Sequence, residues 1–164
     1  MIKIIKNAIY LRGFIGFFVF IVYRIGNIIH YKFRVPLLRQ ILLVLYRVLD
    51  LLIVRIVAKC ELPCQCRIGI NLGLPHGGNG VIISPHVVIG DHVSIYQQVT
   101  IGKNNNSEGA PIIGNHVFIG AGAKVLGNIT IGDNVKIGAN AVVITDVPSN
   151  STAVGVPAKI ISNN

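Results

Sequence analysis

The sequence predicts a mostly β protein: a parallel β-helix preceded by an N-terminal α-helical region. Two periodic columns carry that reading. From Ile83 onward an aliphatic residue recurs every six positions, at Ile83, Ile89, Ile95, Ile101, Ile113, Ile119, Val125, Ile131, Ile137 and Val143. A second apolar column runs four positions on, at Val87, Val93, Val99, Val117, Ala123, Ile129, Val135, Ala141 and Val147, with Asn105 its one miss. Six is the period of neither an α-helix nor a hairpin. It is the period of a coil in which each hexad makes one short strand and one turn. Three hexads complete a triangular coil with both columns inside, and each rung buries its apolar face only on its neighbours.

The composition follows from that architecture. Hydrophobic residues make up 52% of the chain and charged residues only 13%, with 18 glycines. Glycine follows the aliphatic residue at Gly90, Gly102, Gly114, Gly120, Gly132 and Gly138. Relief of backbone strain at the turns is the expected reason. The polar segment 103–111, KNNNSEGAP, interrupts the repeat and is expected to project from one corner as a loop.

Residues 1–59 differ in kind. They hold ten lysines and arginines against the single acid Asp50, whereas residues 60–164 balance five basic against five acidic side chains. The whole net charge of +9 therefore lies in the first 59 residues. Such a region expects an anionic partner. Its cations are interleaved with Ile, Leu, Val and Phe, and no nucleic-acid-binding motif is present, so a membrane surface fits better than nucleic acid. The uncharged run from Gly13 to Tyr23 is bracketed by Arg12 and Arg24, and eleven residues fall short of the roughly 20 that span a bilayer. Lys3 and Lys6 ahead of it suggest the outline of a signal peptide, but no small-x-small cleavage site follows. A retained helix, buried or interfacial, is the expectation.

Residues 36–59 predict a second helix, with Pro36 at its first position. Arg39, Gln40, Arg47, Asp50 and Arg55 fall on one side, and Leu38, Leu42, Leu45, Leu49, Leu52 and Val57 largely on the other. The apolar side is expected to meet the rest of the protein, an oligomer partner, a membrane surface, or more than one of these. Cys60, Cys64 and Cys66 match no familiar zinc spacing and read as reduced thiols of a cytoplasmic protein.

Three strings carry a family resemblance: ISPHVVIGDHVSIYQQVTIG, then IGAGAKVLGNITIG, then VPSNSTAVGVPAKII. From about residue 60 to its end the chain resembles the hexapeptide-repeat acyltransferases, in the serine acetyltransferase-like branch. The resemblance implies a left-handed β-helix, a homotrimer with active sites between subunits, and acetyl-CoA as acetyl donor without a metal. It also implies that His76, in the string PHGGNG, is the catalytic base, and that Glu61, fifteen positions upstream, pairs with it where the family usually has aspartate. The chemistry is coherent: a hydroxyl attacking a thioester must lose its proton, imidazole suits that task near neutrality, and a carboxylate orients the ring. Cofactor contacts are implied at Ala121, Gly122, Ala139 and Lys159, and acceptor contacts at Asn79, Gly109 and Ala110.

The chain also departs from the family. The Arg-His pair that reads the serine carboxylate is replaced by Gly109 and Ala110, and the acidic residue before the catalytic histidine by Pro75. A zwitterion needs charged partners at both ends. The sequence therefore favours another hydroxyl. Resemblance to the members of the branch with such features implies that of a sugar in surface polysaccharide (capsule, exopolysaccharide or O-antigen) synthesis, with a glycan acceptor and, by the charge of the N-terminal region, peripheral attachment to the cytoplasmic membrane. The alternatives are a serine O-acetyltransferase and an inactive β-helix scaffold. His86, His92 and His116 share one hexad position, but their spacings of 6 and 24 differ from those of the zinc-binding hexapeptide-repeat carbonic anhydrases. They are expected at the surface or at a subunit interface.

Overall fold

The structure, a computed structural model, describes residues 2–104 and 108–162, with side chains from residue 13 to residue 161. Asn105 and the middle of the 103–111 segment lie outside the described residues. The element order is helix, helix, then short strands, as the sequence predicts.

Every residue of the two aliphatic columns that is described is buried, none more than 8% exposed. The chain visits three parallel sheets in rotation. The first face holds Ile82–Ile83, Thr100–Gly102, Lys124–Leu126 and Val142–Val143. The second holds Arg67–Ile68, Val88–Ile89, Ile112–Ile113 and Thr130–Ile131. The third holds Ser94–Ile95, Phe118–Ile119, Lys136–Ile137, Ser151–Val154 and Lys159–Ser162. The faces are open sheets with no pairing between them. Register keeps like over like: Ile83 beside Ile101, Ile101 beside Val125, Ile89 beside Ile113. The interruption adds one hexad to a single coil and leaves this register intact.

The glycines of the repeat play a different part from the one expected. None of the six has a positive φ. The left-handed position of the hexad comes two residues later and is filled by His86, His92, Gln98, His116, Gly122, Asn134 and Asn140, at φ from 55° to 73°. Histidine and asparagine are among the side chains that tolerate this region best. The glycines instead allow adjacent coils to approach. A Cβ on Gly90 would lie 2.7 Å from the carbonyl carbon and oxygen of Gly114. Gly90→Ala is therefore expected to lower stability by about 1–3 kcal/mol, while His86→Gly costs less; thermal unfolding of the two variants distinguishes close approach from turn geometry.

A solenoid leaves unpaired backbone groups at its ends, and both ends are closed. At the far end Lys159–Ser162 pairs antiparallel with Ser151–Val154. At the near end the helix α1, Ile2–Lys32, interrupted at Gly13 (φ 67°), lies against the first coil. Its polar side chains meet the open carbonyls. The Tyr23 hydroxyl donates to Cys66 O at 3.0 Å and accepts from Ile68 N–H at 3.1 Å. Asn27 donates to Cys64 O and Cys66 O, both at 2.9 Å, and Arg24 to Gly69 O. The helix continues past the uncharged run, so Gly13–Lys32 is long and apolar enough to cross a membrane by length and composition, with a third of it buried against the protein. A core helix of a soluble protein passes the same test, and Arg24, which ends the uncharged run, turns inward to a backbone carbonyl.

The helix α2, Pro36–Leu49, starts on its proline and continues as π-helical turns over Asp50–Val57. Of its polar side, Arg39 and Asp50 are half-buried, while Gln40 and Arg47 are exposed. Tyr46 is buried, Arg39 donates to His30 O at 3.1 Å, and Asp50 pairs with Arg55 at 3.0 Å. Leu37, Leu38, Ile41, Val44, Leu45, Val48, Leu49 and Leu52 are exposed. Packing of the apolar side on the rest of the protein, one of the sequence expectations, occurs only in part: Leu42, Leu43 and Ile53 pack against the core and Val54 is buried.

Candidate active site

The corner between the third and first faces gathers most of the residues singled out from sequence. In the first coil it is the tight turn Pro75–Gly78. In the next coils the chain rounds the same corner at Tyr96–Gln98, Gly120–Gly122 and Gly138–Asn140. Backbone bonds stack these turns: Gln98 N–H donates to Asn79 O at 2.9 Å, Gly122 N–H to Gln97 O at 2.9 Å, and Asn140 N–H to Ala121 O at 2.8 Å. His76, Asn79, Ala121, Gly122 and Ala139 thus lie along one edge of the coil, although they are far apart in sequence.

His76 is exposed at the head of this edge. It adopts φ 58°, followed by Gly77 at 72° and Gly78 at 78°. Gly77 touches α1: a Cβ there would come within 3.2 Å of Ile15 Cβ. The His76 ring lies 6.2 Å from that of Tyr96, which is 5.1 Å from Phe118. A left-handed φ alone does not mark a catalytic histidine here, because His86, His92 and His116 share it. What distinguishes His76 is its exposure beside the small-residue edge. The other three are turn residues, with His92 and His116 stacked at 4.9 Å. Among the described residues no group of three potential metal ligands comes together.

Glu61 lies one coil earlier than the strand that leaves the His76 turn, bridged to Ile82. Its N–H donates to Val81 O at 2.8 Å, and Gly80 N–H donates to Lys59 O at 2.9 Å. Its exposed carboxylate pairs with Arg55 at 3.5 Å and lines a shallow cleft of about 280 Å³ with Lys59, Cys60 and Ile82. Among the described residues no hydrogen bond joins Glu61 to His76. The fold brings the two segments side by side, but Arg55 holds the carboxylate.

Gly109 and Ala110 lie elsewhere, on the segment entering the second face, with Gly109 against Asn128. Lys159 is exposed in the terminal hairpin, in register with Val154. Two neighbours of His76 were given no role from sequence. Tyr96 contributes its ring, and Gln97 has a buried Oε1 without a partner, an uncommon condition for a polar atom. Their place immediately after the column residue Ile95 is the signal that would have put them on this edge. The three cysteines are buried free thiols. Burial pushes Cys60 and Cys66 up to about 12 and raises Cys64 as well, so all three are poor nucleophiles.

The repeat family described as bacterial transferase hexapeptide (six repeats) matches residues 110–145. This chain's homologues are serine acetyltransferases. That of Synechococcus elongatus is 39% identical over 148 residues, covering 89% of this chain and 57% of the relative. The Neisseria gonorrhoeae serine acetyltransferase solved in complex with serine superposes with a TM-score of 0.78 at 32% identity, over 95% of this chain and 65% of that one. A serine acetyltransferase solved in complex with CoA gives 0.73 at 34% identity, over 90% and 57%. The chain spans more than half, but less than two thirds, of the length of these proteins.

These relatives overturn the glycan acceptor and the link to surface polysaccharide synthesis expected from sequence. Within one chain Gly109 and Ala110 lie on the segment entering the second face, away from the His76 edge.

Proposed function

We propose that the chain transfers the acetyl group of acetyl-CoA to the hydroxyl of serine, working as a homotrimer of left-handed β-helices. The observation that carries this reading is the edge itself: an exposed histidine at the head of a row of small residues. The serine hydroxyl attacks the thioester carbonyl while a ring nitrogen of His76 takes its proton. The C–S bond then breaks as the tetrahedral intermediate collapses, and the proton passes to the departing CoA sulfur. Glu61 orients the imidazole once its carboxylate leaves Arg55. Ala121, Gly122 and Ala139 let the pantetheine arm lie close to the backbone, and Lys159 meets a CoA phosphate. Asn79 and the unpartnered Gln97 Oε1 are the polar groups offered to the acceptor on this edge.

The test is thiol release from acetyl-CoA by purified protein, with L-serine offered beside other hydroxyl compounds. Saturable turnover with L-serine is expected. Acetyl-CoA turnover that ignores serine and saturates with another acceptor would overturn the assignment. Failure to bind acetyl-CoA would overturn the chemistry as a whole.

A further inference from the structure

An amphipathic helix normally buries its apolar side against its own protein; α2 and its continuation pack only Leu42, Leu43, Tyr46, Ile53 and Val54 inward and leave a broad aliphatic surface outside. Arg39 donates to His30 O of α1, while Tyr46 and Arg55 bond Asp50 within the same helical run. Its outward side is a continuous aliphatic surface from Leu37 (70% exposed) through Ile41, Val44, Leu45 and Val48, extended by Ile56 and Val57 of the π-helical turns (58% and 59%). On α1 a second exposed line runs through Phe14, Phe18, Ile21, Ile25 and Ile28. Soluble monomers rarely expose so much contiguous apolar surface without a partner for it.

Charge selects the partner. The chain's whole surplus of +9 lies in the segment that carries this surface. Lys32, at the end of α1, and Arg34, in the link between the helices, are exposed, as are Arg47 and Lys59. Among the described residues none of these four makes an ion pair. A second copy of the same face would bring like charges together, whereas an anionic lipid surface neutralises them while accepting the aliphatic side chains.

We propose that the outward face of α2 and its π-helical continuation docks on an anionic lipid bilayer, with Lys32, Arg34, Arg47 and Lys59 at the headgroups and the aliphatic residues in the interface.

Flotation of the full chain with phosphatidylcholine vesicles, with and without phosphatidylglycerol, tests this. Binding about tenfold higher on the anionic vesicles, weakened by salt, is expected. Leu45→Glu and the pair Lys32→Glu, Arg34→Glu should each reduce flotation severalfold without changing the far-ultraviolet circular dichroism or the rate of thiol release. The proposal fails if the wild-type chain stays with neither vesicle type. It fails equally if binding ignores lipid charge. Light scattering adds a further discriminator: an oligomer that Leu45→Glu splits, with no flotation in either form, would make the face a contact between copies instead.

Discussion

His76→Ala should lower serine-dependent thiol release by about 10²–10⁴-fold, the range expected when a positioned general base is removed, while leaving the unfolding temperature nearly unchanged. The side chain is exposed and, among the described residues, makes no hydrogen bond, so the remaining cost is that of alanine at φ 58°, which the His92→Ala control shares. The control is His92→Ala, which alters a histidine of the same backbone conformation at a different corner. Activity retained in His92→Ala and lost in His76→Ala locates the chemistry on the edge rather than in turn geometry. Equal losses would mean that both histidines only shape turns. Glu61→Gln should fall between the two, because it removes an orienting charge and not the base.

Ile119→Ala should cost about 2–5 kcal/mol of stability, the range for truncating a fully buried aliphatic side chain. Ile119 has no exposed surface, and its strand sits between Ile95 on one side and Ile137 on the other. The coil cannot collapse around a missing side chain without shifting the register of both neighbours, so the cavity remains. Urea unfolding measures the loss. In a solenoid a mid-stack defect also uncouples the repeats on its two sides, so a broadened or two-step transition is expected beside the lower midpoint. A cost below about 1 kcal/mol would mean that the column is packed loosely and that the strands, not the side chains, hold the coils together.

The repeat, the two buried columns and the start of α2 at Pro36 were determined by the sequence alone. Each rests on local information: a strand and turn of six residues needs only its own hexad and the two flanking coils, and proline sets its own φ. His76 and the small residues were legible only through a resemblance. Nothing in their spacing says that residues 76, 97, 121 and 139 round the same corner, which follows from three faces visited in rotation with one hexad inserted.

Three matters were decided by the tertiary structure. The repeat glycines serve close approach between coils, a demand that exists only once the coils are stacked. Gly109 and Ala110 sit where the second face begins, apart from the His76 edge of the same chain, a separation that spacing alone does not reveal. Most of all, the orientation of α2 could not be read from its amphipathic pattern. The pattern separates two sides but does not say which turns inward. That depends on what the neighbours present, and here α1 presents His30 O to Arg39 and Gly26 to the Tyr46 ring. Most of the aliphatic side is left facing out.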